Sequence, residues 1–454
     1  MSQTDITAPT GRIERPGYRY YVLAILTLVY MLNFIDRQII GILAAPLKAE
    51  FGLSDSQFGL LGGLAFALLY TTLAIPIAWL ADRFSRVWIM TAALTLWSGF
   101  TALCGVVGGF GQLFLCRMGV GIGEAGGVAP SYSLISDYFP KAQRARALAV
   151  YAFGIPFGTA AGTLVGGLVA ATYGWRAAFI TVGLLGVLVA PILRLTVRDP
   201  QRGGMDRPAP VADAAPVAFV PEPAPSFGAV LKLLLPKPSF WLLALGAASA
   251  SVCGYGVAAW MPSFFMRSFG LTLADTAWYY SGIALVGGLT GIWFGGQLAD
   301  RLGRKSKGGY PLVPAIAFLI SVPCFLLAMN AQSIVSFLLP ETSNNSWQAL
   351  TLAFLIFLIP TGLNLTWLGP LTASVQHLVP PTMRTTASAL FLLINNLLGI
   401  AVGIFYFGWM SDLLRPAFGE ESLRWSIYTG MGFYLLASAL LIGASRTLTR
   451  DWVD

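Results

Sequence analysis

The sequence predicts an all-α membrane protein with twelve transmembrane helices arranged as two bundles of six. Three observations carry this reading. Of 454 residues, 56% are hydrophobic and only 11% are charged, against about 25% charged in an ordinary soluble domain. Apolar runs long enough to cross a bilayer, roughly 20 residues, recur along almost the whole chain. One long polar interruption, "RDPQRGGMDRPAPVADAAPVAFVPEPAPS", falls near the middle; its proline, alanine and charge cannot bury a core and read as a flexible linker.

Each span follows from an apolar run bounded by charge, glycine or proline. The first six lie at roughly 19–48, 55–81, 86–109, 111–137, 144–172 and 176–197. The second six lie at roughly 239–267, 273–299, 309–331, 347–376, 383–412 and 423–447. The chain thus divides into a tail (1–18), a first bundle (19–197), a linker (198–236), a second bundle (237–448) and a short tail (449–454). Just before span 7, "FGAVLKLLL" has the pattern of a short helix lying on a membrane surface.

A net charge of +8 raises the question of nucleic acid. The basic residues form no patch, however. Arg83, Arg86, Lys141, Arg144, Arg146, Arg198, Arg202, Arg207, Arg301, Arg304, Lys305 and Lys307 all follow even-numbered spans. That is the positive-inside pattern, which puts both termini and the linker in the cytoplasm of a multi-pass cell-membrane protein, the inner membrane if bacterial. No nucleic-acid partner is expected, and the working unit is expected to be a monomer. Cys104, Cys116, Cys253 and Cys324 all sit inside apolar runs at unrelated spacings, so neither a disulfide framework nor a zinc motif is expected. The polar start "MSQTDITAPTGRIERPG" lacks a cleavable apolar segment, and insertion is expected to rely on span 1.

The two halves echo one another. "AWLADRFSRV" follows span 2 and "GGQLADRLGRK" follows span 8; "FPKAQRARALA" follows span 4 and "PPTMRTTASALF" leads into span 11. Parallel repeats about an axis along the membrane normal are a recognised transporter architecture. With these elements the chain resembles the major facilitator superfamily over all twelve spans. That family's loop motif, Gly-x-x-x-Asp-Arg-x-Gly-Arg-Lys, is matched by Gly296, Asp300, Arg301, Gly303, Arg304 and Lys305. The first copy keeps Asp82, Arg83 and Arg86 but has Ala78 and Ser85 where the motif has glycine. Within the superfamily, "NFIDRQIIGILAAPLKAEFGLSDSQFGLLGGLAFALLY", "RMGVGIGEAGGVAPSYSLISDYFP" and "GWRAAF" resemble the Spinster lipid transporters. The superfamily resemblance implies that Asp82, Arg83 and Arg86, with Asp300, Arg301 and Arg304, latch the bundles together in the outward-facing state, the first latch looser because of Ala78 and Ser85. The Spinster resemblance implies export or redistribution of amphipathic lipids such as lysophospholipids or sphingoid phosphates. Without it, Asp82 and Asp300 read either as anions set against helix N-termini or as solvated turn residues.

Charge deep within the spans is scarce. The acids are Asp36 in span 1 and Glu124 in span 4; the bases are Arg37 and Arg117. An ionised group at the bilayer centre costs at least about 2.5–3.5 kcal/mol, so such residues face a cavity or one another. Arg117 and Glu124 are seven apart, on one helical face and about 10 Å apart along the axis, whereas adjacent Asp36 and Arg37 point about 100° apart. Asp36 and Glu124 are therefore expected to form a buried acidic pair within reach of Arg117. Burial favours the neutral acid and a nearby guanidinium favours the carboxylate, which suits a proton site that biases conformation. A static ion network between spans 1 and 4 is the alternative. Arg37 reads either as an anchor for an anionic head group, its guanidinium offering paired donors to phosphate, or as an internal partner of Asp36 or Glu124.

Other motifs have plainer readings. "GIGEAG" (121–126) matches a dinucleotide fingerprint but follows no strand and lies within a span. Its glycines fit close helix packing better, as do Gly119, Gly123, Gly127 and Gly158, Gly162, Gly166 at four-residue spacing, with helix sliding as a further possible use. The sole histidine, His377, lies near the cytoplasmic end of span 10 and reads as a boundary residue. Asn364, Trp367, Asn395 and Asn396 line a cavity in the second half or form interhelical hydrogen bonds.

The expected function is alternating-access secondary transport, proton-coupled, of an amphipathic lipid-like substrate, with a charged N-terminal bundle facing a mainly apolar C-terminal one. Small organic anions or drugs are the alternative substrates. An enzyme is not expected, since one peripheral histidine and scattered cysteines supply neither metal ligands nor a nucleophile with its base; no cofactor or metal is expected either. Two unlike halves argue against a channel built on a symmetric axis.

Overall fold

A computed structural model describes residues 16–202, 227–303, 306–339, 346–380 and 383–453. Among these residues every regular element is helical. Eight stretches of helix are long and apolar enough to cross a bilayer. Two of them, Ala142–Thr196 and Thr386–Asp451, each hold two consecutive spans. The other two spans are the fourth, which is broken into two shorter helices and carries Arg117 and Glu124, and the eighth, Leu273–Gly303. Twelve spans result.

Several of them are not uniform rods. Span 1 runs as Pro16–Ile42 and continues as Ala44–Phe51. Span 2 is Asp55–Gly59, a π-helical turn Leu60–Leu64, then Ala65–Ala81. Span 3 (Arg86–Cys104) ends five residues earlier than the apolar run suggested, because the glycines at 105, 108 and 109 take the chain out of the helix. Span 4 is broken into Phe110–Glu124 and Val128–Tyr138 around Ala125, Gly126 and Gly127. Spans 5 and 6 are separated by Gly174, whose φ of 85° is one that only glycine adopts readily. In the second half, span 10 breaks between Ser346–Leu363 and Leu368–Gln376. Span 11 contains a second π-helical turn, Leu397–Val402. The helix ahead of span 7 is Phe227–Leu234; it buries Val230 and Leu234 and packs against the start of span 11. The rest of the linker, 203–226, lies outside the described residues.

Within the first half, span 1 packs on span 5, span 3 on spans 4 and 6, and span 2 on span 4. The span 5 glycines let span 1 come close: a Cβ on Gly158 would stand 2.4 Å from the Met31 carbonyl oxygen, and one on Gly162 would stand 2.8 Å from Ile35 backbone atoms. Within the second half, span 12 packs on spans 7, 9 and 11, and span 10 on spans 8 and 9. Large apolar side chains such as Leu188, Leu195 and Phe337 remain exposed on the outside, as a lipid-facing surface requires.

The halves meet through spans 1 and 7, 2 and 11, and 5 and 8. Their close approaches include Gly41 to Ala259, Gly63 to Ala401, Gly59 to Phe405, Gly408 to Asp55, Gly167 to Ala277 and Gly288 to Pro156. All of these lie between mid-span and the end opposite the Arg/Lys-rich loops. We call the two ends the far end and the basic end.

Candidate functional site

All four scarce charges are brought together, with Asp36 and Glu124 both buried and Arg37 the direct partner of Glu124. Span 1 presents Asn33 and Arg37, one turn apart, to Glu124 on span 4. The Glu124 carboxylate is fully buried; its Oε2 accepts hydrogen bonds from Asn33 Nδ2 at 2.7 Å and from Arg37 Nε at 2.8 Å. Asp36, also buried, points instead toward Trp97 and Thr101 of span 3. Arg117 donates to the backbone carbonyl of Asp36 at 3.4 Å and feels both carboxylates at longer range. In this state Arg37 is paired internally with Glu124. The reason is helical: two turns separate Arg117 from Glu124 on their own helix, while the 100° step from Asp36 turns Arg37 onto span 4.

Aromatic rings surround the cluster. The Arg37 guanidinium lies 5.2, 5.0 and 4.6 Å from the ring centroids of Phe34, Phe66 and Tyr70, and that of Arg117 lies 5.5 Å from Phe66. Tyr255 of span 7 faces Arg37 from the other half. Several buried polar atoms here have no hydrogen-bond partner among the described residues: Asn33 Oδ1, Asp36 Oδ1, Arg37 Nη2, Arg117 Nε and Glu124 Oε1. Buried polar groups are normally satisfied, and here five open atoms lie on the members of one cluster. No group of three His, Cys, Asp or Glu suited to a metal occurs among the described residues.

Asn364 and Asn395 bond within the second half. Asn364 Oδ1 accepts from the Tyr434 hydroxyl at 3.0 Å, and Asn395 Oδ1 accepts from Ser251 Oγ at 2.8 Å. Asn396 Oδ1 accepts from Asn395 Nδ2 at 3.4 Å, and buried Trp367 meets Phe391 edge-on. His377 stacks on Trp452, centroids 4.2 Å apart, at the basic end.

Of the loop-motif residues whose side chains are described, Asp82, Arg83, Arg86 and Arg301, none bonds to the other half among the described residues. Asp82 is exposed, and Arg83 folds back on its own span, 3.7 Å over the Trp79 ring. Arg86 is buried inside the first half, bound to Asp199, Asp137, Ser133 Oγ and the Pro200 carbonyl. Asp199 also accepts from the Arg86 backbone N–H at 2.6 Å, the position at a helix N-terminus considered for Asp82. Asp300 and Arg301 fall in the last turn of span 8, with Arg301 exposed. Arg304 and Lys305 lie outside the described residues.

The far end carries a clasp that reading the sequence missed. Asp55, at the start of span 2, is buried and accepts both guanidinium nitrogens of Arg267 from span 7, at 2.9 and 2.7 Å, and Ser411 Oγ from span 11 at 2.7 Å. Lys48 also pairs with it. Asp412 of span 11 caps span 2, accepting from the backbone N–H groups of Asp55 and Ser56 at 3.1 and 2.7 Å and from Ser56 Oγ. These charges lie at span ends, where sequence alone offers nothing to set them apart from solvated turns; Asn33, by contrast, was detectable as a polar residue one turn before Arg37.

Known proteins bear on this arrangement. The Major Facilitator Superfamily profile matches residues 26–404. An MFS-type efflux pump of Mycolicibacterium smegmatis is 32% identical over 447 residues, covering 98% of this chain and 96% of that one. The human protein spinster homolog 1 is 30% identical over 461 residues, covering 95% and 82%. The crystal structure of a bacterial homolog of the human lysosomal transporter Spinster, inward-facing and unoccupied, superposes with a TM-score of 0.80 at 32% identity, covering 97% of this chain and 99% of that one. The chain belongs to the major facilitator superfamily of membrane transporters, and the Spinster proteins are among its relatives.

Proposed function

We propose that this chain is a proton-coupled carrier that moves an amphipathic, lipid-like substrate with an anionic head group by alternating access. The observation that carries the reading is the buried Glu124–Arg37 pair beside buried Asp36, with unpartnered polar atoms on every member. A static strut needs one acid and one base with their hydrogen bonds complete. Here a second carboxylate lies alongside, and Arg37 Nη2 remains open. When Glu124 takes up a proton, the attraction that holds Arg37 falls away and its guanidinium becomes available to a phosphate or carboxylate head group.

The cross-half contacts at the far end and their absence from the described loop-motif residues support a state open toward the basic end, which we place in the cytoplasm. Both termini lie on that side. The clasp Asp55–Arg267 with Asp412 is then the outer gate. The basic-end motifs, Asp82 with Arg83 and Asp300 with Arg301, engage only when the clasp opens. Small organic anions or drugs are the second substrate reading, favoured by the 32% identity to an efflux pump.

Purified protein in liposomes loaded with a pH-sensitive dye tests the coupling. Asp36→Asn and Glu124→Gln are each expected to abolish proton-driven flux while leaving the protein folded. Undiminished proton movement in both variants rejects the coupling role. A flux screen of lysolipids against organic anions at two pH values separates the two substrate classes.

A further inference from the structure

The "GIGEAG" segment has a use beyond tight packing. Gly121 faces span 2 so closely that a Cβ there would lie 2.5 Å from the Phe66 carbonyl oxygen; Gly123 does the same to span 3, 2.5 Å from the Trp97 backbone nitrogen. The two glycines flanking Ile122, just before Glu124, therefore seat one aromatic residue at each part of the charge cluster. Trp97 stands by Asp36. Phe66, 1% exposed, has its ring centroid within 5.0 Å of the Arg37 guanidinium carbon and 5.5 Å of that of Arg117, and stacks on Tyr70 at 5.1 Å.

Span 2 is also the element that carries the far-end clasp, through Asp55 and the cap that Asp412 places on its first turn. Its opposite end carries Asp82 and Arg83. Phe66 is thus the point where the element bearing both gates touches both buried guanidiniums. We propose that Phe66 is a positioning residue: its ring holds Arg37 and Arg117 at their stations, so that a change of charge on Glu124 is passed to span 2. This rests on the proton reading given above. The charged and titratable groups around Glu124 are Asp36 and Arg37 from span 1, Arg117 from its own span, Tyr70 from span 2 and Tyr255 from span 7. Among these groups, Arg37 and Arg117 are the two that lie over the Phe66 ring.

The ring's hold is electrostatic, the negative face of the quadrupole against a desolvated cation. Fluorination drains that face while nearly preserving ring size. Spin labels at Tyr173→Cys and Glu420→Cys, both exposed at the far end, in a background without the native cysteines, report the far-end distance as a function of pH. With 4-fluoro-, 3,5-difluoro- and 3,4,5-trifluorophenylalanine at position 66, the midpoint of that response is expected to move stepwise, by about one pH unit in total. Phe66→Leu is expected to reach or exceed the end of the series, and Phe66→Tyr to stay near the parent; the fluorinated series stands by itself if the leucine variant does not fold. A flat series, with the pH response lost in Glu124→Gln, overturns the role of Phe66 alone. A pH response that persists in Glu124→Gln overturns the proton reading and this proposal together.

Discussion

Replacing Asp55 with asparagine removes one charge from the clasp and leaves the shape of the side chain almost unchanged. In the closed far end the Asp55 carboxylate receives two bonds from Arg267, one from Ser411 and an ion pair from Lys48, at 1% exposure. Breaking a buried pair from one side costs about 3–5 kcal/mol, because the other charge is left behind. Arg267 and Lys48 keep 19% and 14% side-chain exposure, so water recovers part of that and the low end, about 3 kcal/mol, is the better figure. At 1.4 kcal/mol per factor of ten, the equilibrium between far-end-closed and far-end-open states moves by about a hundredfold. Carrier states differ by only a few kcal/mol, so such a shift changes which state dominates. The far-end spin-label pair reads it directly: a long-distance population should appear in Asp55→Asn at a pH where the parent protein shows only the short one. Arg267→Gln should do the same, and the double variant should add little to either, since both remove one interaction. A distance distribution in Asp55→Asn that matches the parent refutes the clasp as a gate.

Two further outcomes follow from the same reasoning. Arg86→Gln leaves Asp137 and Asp199 without their buried cation and should cost about 3–5 kcal/mol in thermal unfolding in detergent, while the pH midpoint of the far-end distance stays where it was; a moved midpoint would make Arg86 part of the switch. Truncation after Arg450 removes Asp451, which accepts from the Ser239 backbone N–H at the start of span 7, and Trp452, which stacks on His377. It should cost about 1–2 kcal/mol of stability, the size of a lost helix cap, without changing flux per folded molecule.

The twelve spans and their grouping could be read from the sequence because bilayer crossing is a composition problem: a run is apolar for long enough or it is not. The buried charges were legible for the same reason, since Asp36, Arg37, Arg117 and Glu124 stand out against Leu, Ile and Gly. The partner of Arg37 stayed open between Asp36, Glu124 and a ligand. It depends on which face of span 1 turns toward span 4, and a one-residue difference, Arg37 rather than Asp36, decides which side chain meets Glu124. Phe66 was invisible because one phenylalanine among 29 becomes special only when two guanidiniums from other helices arrive at its ring. Asp55, Arg267 and Asp412 were hidden differently: charges at span ends are what a solvated turn also looks like, and only the approach of span 11 to span 2 turns them into a buried clasp. Arg86 went the opposite way. The loop motif suggested a latch between halves, and in this state the residue is a hub inside one half.

That last approach permits a test of the gate in which no charge is altered. Gly59 sits in the first turns of span 2, just before its π-helical turn, and a Cβ added there would come 2.9 Å from the Phe405 Cα and 3.0 Å from the Ile404 carbonyl oxygen, both on span 11. Those are backbone atoms of the other half, so they cannot rotate away, and the halves must separate by a few tenths of an ångström. Inside its own half the substitution is favourable, because alanine in a helix is better than glycine by about 1 kcal/mol. Gly59→Ala should therefore keep or raise thermal stability while shifting the far-end distance toward the open population. The shift should be smaller than that of Asp55→Asn, and the pH midpoint set by the Glu124 cluster should be displaced without loss of the response itself. If the variant is less stable and its far end stays closed, the contact between spans 2 and 11 belongs to the permanent fold and is not a gate surface. A more stable protein with a more open far end assigns that contact to one state of the cycle, which is what a clasp made of ion pairs and caps, and not of a continuous apolar core, is built to allow.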